Sequence, residues 1–157
     1  MTVLDRAYSC FEIKSFDEEL RTIEGIATTP KVDRVGDIVE TLGLTFAKSV
    51  PLLLHHDSRL PVGQVTFGKP TKTGLPFTAT LPKVSEPGTI KDRVDEAWQS
   101  VKYKLIAAVS IGFRPLDDAI ERIETGWRFL KSEIMELSLV VVPAQDQAII
   151  TGFKSMD

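Results

Sequence analysis

Ile134-Met135-Glu136-Leu137-Ser138-Leu139-Val140-Val141-Val142 is the stretch whose reading decides the fold. As an extended strand it is apolar on both faces, the pattern of a central strand covered on two sides. Pro143 follows and ends it, because proline removes a ladder donor. Glu136 is the anomaly within it. Burying a carboxylate costs several kcal/mol unless it is paired or hydrogen-bonded. An imidazole N–H held in one orientation would compensate it, and so would a salt bridge from Arg128 or Lys131 on a neighbouring strand.

Working outward, Glu124-Thr125-Gly126 marks a hairpin turn, preceded by a strand over residues 106–114. Ile90, Val94, Trp98, Val101 and Leu105 recur at helical spacing, predicting one main helix with a buried stripe. Thr89 with Asp92 three residues on resembles a capping box at its start. Residues 61–67 and 75–81 predict a hairpin, and residues 7–14 and 20–27 an opening one. Residues 33–37 read as a turn-rich loop and 41–48 as a short helix. Trp98 and Trp127 read as core or hairpin packing. Many short strands with one helix predict a β-rich α+β domain, a small closed or nearly closed β-barrel, over residues 1–157.

Composition sets the class. The 157 residues suffice for one domain with a real core. The net charge of −3, with no basic stripe interleaved with aromatics, argues against a nucleic-acid partner. Cys10 is the single cysteine, which excludes an intrachain disulfide and cysteine-based zinc patterns and fits a reducing cytoplasm. No signal-peptide pattern opens the chain, and no apolar run approaches the ~20 residues needed to span a bilayer, so no membrane is expected.

Two further residues join Glu136 as candidates. In Ala107-Ala108-Val109-Ser110-Ile111-Gly112-Phe113, alternation puts Ser110 on one face with Ala108 and Gly112, small neighbours that leave room for a substrate chain. His56 ends Val50-Pro51-Leu52-Leu53-Leu54-His55-His56-Asp57, and strand alternation would turn His55 and His56 to opposite faces. A hydroxyl, an imidazole and a carboxylate are the parts that make a serine nucleophilic near neutral pH. Each has a plainer reading: a serine bonded to the next strand, a histidine pair at a strand end beside Asp57 and Ser58, a buried ion pair. A metal site built on His55, His56, Asp57 and a distant Glu is the weaker alternative, since adjacent histidines converge poorly on one ion. Asp33 and Asp37 flank Gly36 in a loop that lacks an EF-hand pattern and reads as a solvated turn. No cofactor is expected.

Together, several segments resemble the prohead (capsid maturation) serine proteases of tailed bacteriophages. They are Gly25-Ile26-Ala27, Asp33-x-x-Gly36-Asp37, the run from Val50 to Asp57, Pro61-Val62-Gly63, Val109-Ser110-Ile111-Gly112-Phe113, Glu136-Leu137-Ser138-Leu139-Val140, Pro143-Ala144 and Ala148. The resemblance implies a small barrel wrapped by short flanking helices, similar to the herpesvirus assemblin proteases. It implies His56 as the catalytic base, Ser110 as the nucleophile and Glu136 as the acid, with Asp57 left open as an alternative third member. No oxyanion donor is placed; a loop backbone N–H is preferred to Arg114. The implied substrates are scaffold segments of the major capsid protein precursor and the protease itself, inside an assembling prohead in the host cytoplasm, with self-association left open. The chain is short for the family, so a tail or a processing step is also left open. The alternatives are a non-catalytic capsid-assembly module on the same barrel and an esterase or amidase, the latter without the Gly-x-Ser-x-Gly elbow.

Overall fold

A computed structural model describes residues 10–33, 35–116 and 118–141. The opening hairpin is β1 (Phe11–Asp17) and β2 (Thr22–Thr28), followed by β3 (Ile38–Val39), a 3-10 turn at Thr41–Gly43, and β4 (Leu44–Phe46). A second run holds β5 (Val50–Leu54), β6 (Asp57–Phe67) and β7 (Leu75–Thr80). Then come the helix α1 (Thr89–Lys102), β8 (Ala108–Pro115), β9 (Ile120–Arg122), β10 (Trp127–Phe129) and β11 (Ser132–Val140).

Seven strands close in the order β11-β5-β6-β7-β2-β1-β8 and back to β11, giving the expected β-rich barrel with one main helix. The closing strand is β11. It runs parallel to β5, with Leu137 beside Leu52, and antiparallel to β8 along its whole length. Near its start β4 lies on the same side as β5, with Ser132 beside Leu44. A small sheet, β3-β10-β9, sits apart from the barrel ladder. The interior is filled by Leu52, Val65, Ala79, Ile111, Leu137 and Leu139, all buried. Val94, Ala97, Trp98 and Val101 on α1 join the same core, and Phe16 meets Trp98 edge to face at 5.8 Å.

Several expectations need correction. The capping box does not form: Gly88 is the residue before the helix, no side chain caps it, and Thr89 is already helical. The stripe is shorter than its sequence pattern. Ile90 is 54% exposed and Leu105 lies past the last turn at 68%. The helix stops before Leu105 because Lys104 takes a left-handed φ of 63° and the N–H groups of Leu105 and Ile106 turn back to the Ser100 carbonyl. Residues 41–48 form only the 3-10 turn before extending as β4, where pairing with β11 supplies backbone partners that a short helix would lack. The two tryptophans stand as expected: Trp98 is core, and Trp127 is hairpin packing, lying opposite Arg122 across β9 and β10 with the guanidinium 5.4 Å over its ring. The strand predicted to reach residue 142 and its stop at Pro143 fall outside the described residues at their far end.

Phe113 is buried and packs edge to face on Phe129 with ring centroids 5.3 Å apart. Phe113→Ala is expected to cost about 3–5 kcal/mol in urea unfolding. Ile90→Ala, at the exposed end of the helical stripe, should stay within about 0.5 kcal/mol.

Candidate active site

The site begins with a break in parity along β11. Ile134 lies opposite Phe113, but the next paired residue is Glu136, opposite Gly112, so Met135 is an extra residue in a β-bulge. Before the bulge Ile134 points into the barrel, and after it Leu137 and Leu139 do. A strand of strict period two could not place 134 and 137 on one face. The inserted residue therefore turns Glu136 and Ser138 to the other face. Ser110 is directly opposite Ser138 across the β8–β11 ladder, while its neighbours Val109 and Ile111 join the core. Ser110 is 1% exposed, Glu136 4% and Ser138 fully buried.

His56 arrives from the turn between β5 and β6. Leu54 pairs with Asp57, so the connection is just His55 and His56, and both have positive φ, 52° and 58°. Two consecutive left-handed residues are what a type I′ hairpin demands, a role usually filled by Asn-Gly. The two histidines thus diverge through turn geometry and not through strand alternation as expected. His55 is exposed; the His56 side chain is 22% exposed and turned to the site. Two contacts to β11 hold the turn: the His55 N–H donates to the Leu139 carbonyl at 3.1 Å and the His56 N–H to Ser138 Oγ at 2.9 Å.

The three candidates meet. His56 Nδ1 is 2.5 Å from Glu136 Oε2 and His56 Nε2 is 3.2 Å from Ser110 Oγ. Against a carboxylate, which only accepts, Nδ1 carries the hydrogen, leaving Nε2 of a neutral ring free to accept from the serine. The hydroxyl of Ser138 donates to Glu136 Oε1 at 2.7 Å. Both carboxylate oxygens are therefore occupied, which is the compensation a buried charge requires. The arrangement can draw a proton from a hydroxyl and stabilise the imidazolium that results.

Other candidates stand elsewhere. Asp57 does not reach the imidazole; its two oxygens hold Arg59 at 3.0 and 2.9 Å. Arg128 bonds to Glu121 at 2.8 Å, so it is not the partner of Glu136. Arg114 bonds to Glu133 at 2.7 Å. Asp33 accepts the N–H groups of Val35 and Asp37, and Asp37 accepts that of Trp127, so this loop is bolted to β10 and Asp37 is buried, unlike a solvated turn. Among the described residues no three His, Cys, Asp or Glu side chains gather as a metal-binding group, and no helix is long and apolar enough to cross a membrane. Ser138 was not singled out from sequence. Its signal was the odd spacing of the core residues Ile134 and Leu137 within a β-strand.

The pattern of the caudovirus prohead serine protease family matches residues 16–157. The chain belongs to this family. It is also similar to the "Capsid polyprotein" of Pseudomonas phage PAJU2, 46% identical over 155 residues, covering 98% of this chain and 23% of that protein. A second relative is the "Prohead protease" of Escherichia phage T5, 28% identical over 156 residues, covering 92% of this chain and 70% of that protein. This prohead protease family member thus spans under a quarter of the polyprotein and most of the other relative.

Two tests address the turn. Bonds from the Arg59 side chain, then its backbone N–H, hold the Asp57 pKa down at about 2. A folded-state value below the unfolded one contributes stability above about pH 4 and loses it as pH falls toward about 2. Asp57→Asn should therefore flatten the acid limb of the urea midpoint plotted against pH, modestly for so exposed a pair. His55→Asn, better suited to a left-handed φ, should raise stability by roughly 0.5–1 kcal/mol in the same assay at neutral pH.

Proposed function

We propose that this protein is a capsid maturation serine endopeptidase in which Ser110 is the nucleophile, His56 the general base and Glu136 the group that orients and stabilises the imidazole. The observation that carries this reading is the unbroken contact chain from Ser110 Oγ through His56 to Glu136, in a member of the prohead serine protease family. His56 Nε2 takes the hydroxyl proton as Ser110 Oγ attacks a peptide carbonyl, and returns it to the departing amine nitrogen. Water then attacks the acyl-enzyme ester; His56 takes its proton and passes it to Ser110 as the acid product leaves.

The substrates are segments of the capsid precursor, with the scaffold segment and the protease's own chain included. The name of the PAJU2 relative supports a capsid protein as partner. The setting is the assembling prohead in the cytoplasm of the bacterial host. The small neighbours of Ser110 along its own strand face (Ala108 and Gly112) suit the approach of an extended peptide backbone.

Co-expression with the capsid precursor, read by intact mass, tests the proposal. Wild type should release a defined precursor fragment. Ser110→Ala and His56→Ala should each slow its appearance by at least about 10⁴-fold, and Glu136→Gln by about 10⁴-fold. Equal processing by wild type and Ser110→Ala would refute the assignment.

A further inference from the structure

We infer that Ser138 is a positioning residue of this site, a group that ties the acid, the strained histidine turn and the nucleophile's strand together. The inference rests on the catalytic reading above. Ser138 Oγ lies 2.9 Å from the His56 backbone nitrogen and 2.7 Å from Glu136 Oε1. A hydroxyl has one hydrogen, and here its direction is determined by chemistry. The His56 N–H can only donate and a carboxylate can only accept, so the Ser138 hydrogen points to Glu136 and its lone pair receives His56.

Each bond does something different. The bond to Oε1 holds the carboxylate plane so that the other oxygen, Oε2, faces His56 Nδ1. The bond from the His56 N–H anchors a residue whose φ of 58° is unfavourable for a side chain of this size. Ring and carboxylate are thus referred to a single oxygen, itself on the residue directly opposite Ser110 in the β8–β11 register. Because Ser138 is fully buried and its bond to Glu136 is buried with it, truncation to alanine leaves the buried carboxylate short of one donor and the His56 N–H without this acceptor. No atom of Ser138 is required to touch substrate, so its effect is on the geometry of the reacting groups.

The test uses the whole chain and a fluorophosphonate probe, which phosphonylates an activated serine hydroxyl with loss of fluoride. Wild type should label at Ser110 and Ser110→Ala should not. Folded Ser138→Ala should label about 10- to 100-fold more slowly at saturating probe, the size of a hydrogen bond to a charged group, with an unchanged half-saturating concentration. Ser138→Thr, which keeps the hydroxyl, should recover most of the rate. The far-downfield proton resonance of the His56 Nδ1–H should be present in wild type and Ser138→Thr and lost in Ser138→Ala. A folded Ser138→Ala with wild-type labelling and an intact resonance would overturn the inference. Should Ser138→Ala not fold, Ser138→Cys serves in its place: an intermediate rate supports the role and a wild-type rate defeats it. Equal labelling of wild type and Ser110→Ala would instead sink the catalytic reading, a result the proton resonance keeps distinct.

Discussion

The buried carboxylate of Glu136 is the constraint around which the rest of the molecule is arranged. At 4% exposure it has little water to solvate it, so its charge must be met by donors fixed in place. Two are supplied, the His56 ring and the Ser138 hydroxyl. Supplying them demands two departures from ideal β geometry. One is the bulge at Met135 that turns the carboxylate out of the barrel interior. The other is the pair of left-handed histidines that fold the β5–β6 connection over β11. The left-handed histidines cost free energy of order 1–3 kcal/mol each and are tolerated where the surroundings over-determine them. Here four bonds do so: two from the turn backbone to β11 and two to the carboxylate.

Much of this is legible in the sequence itself. The two long hairpins, the main helix, the barrel class and the central place of the Glu136 strand follow from alternation, turn residues and helical spacing. His56, Ser110 and Glu136 stand out by their chemistry and by the family resemblance, and the fold brings the three within contact. What stayed hidden has local physical causes. The capping box failed because Thr89 lies one residue inside the helix, and a Ser/Thr-x-x-acid spacing looks the same at either position. The type I′ turn was masked because histidine is an unusual occupant of left-handed backbone. Ser138 was masked because a serine in an apolar run carries no charge to betray its importance; its two bonds depend on a bulge that pattern reading treats as a blemish.

The order of the three groups along the chain, His then Ser then Glu, has a structural counterpart. Each comes from a different strand context: a hairpin tip, the middle of β8, and the bulged part of β11. Asp57 illustrates the other side of this arrangement. Though adjacent to His56 in sequence, it lies past the turn, where the chain has reversed and its carboxylate meets Arg59. Proximity in sequence loses to register.

The closing role of β11 carries a consequence for when such a site can exist. Contacts from His56 span 54 residues to Ser110 and 80 to Glu136, and every one of them is made at the seam where β11 meets β5 and β8. A nascent chain that has formed every earlier hairpin still holds none of the constellation. Seating of the last described strand creates it in one step, and any excursion that lifts that strand erases it in one step. If these three residues act as proposed, a half-folded molecule is chemically silent by construction, a safeguard against misdirected cleavage that needs no inhibitor.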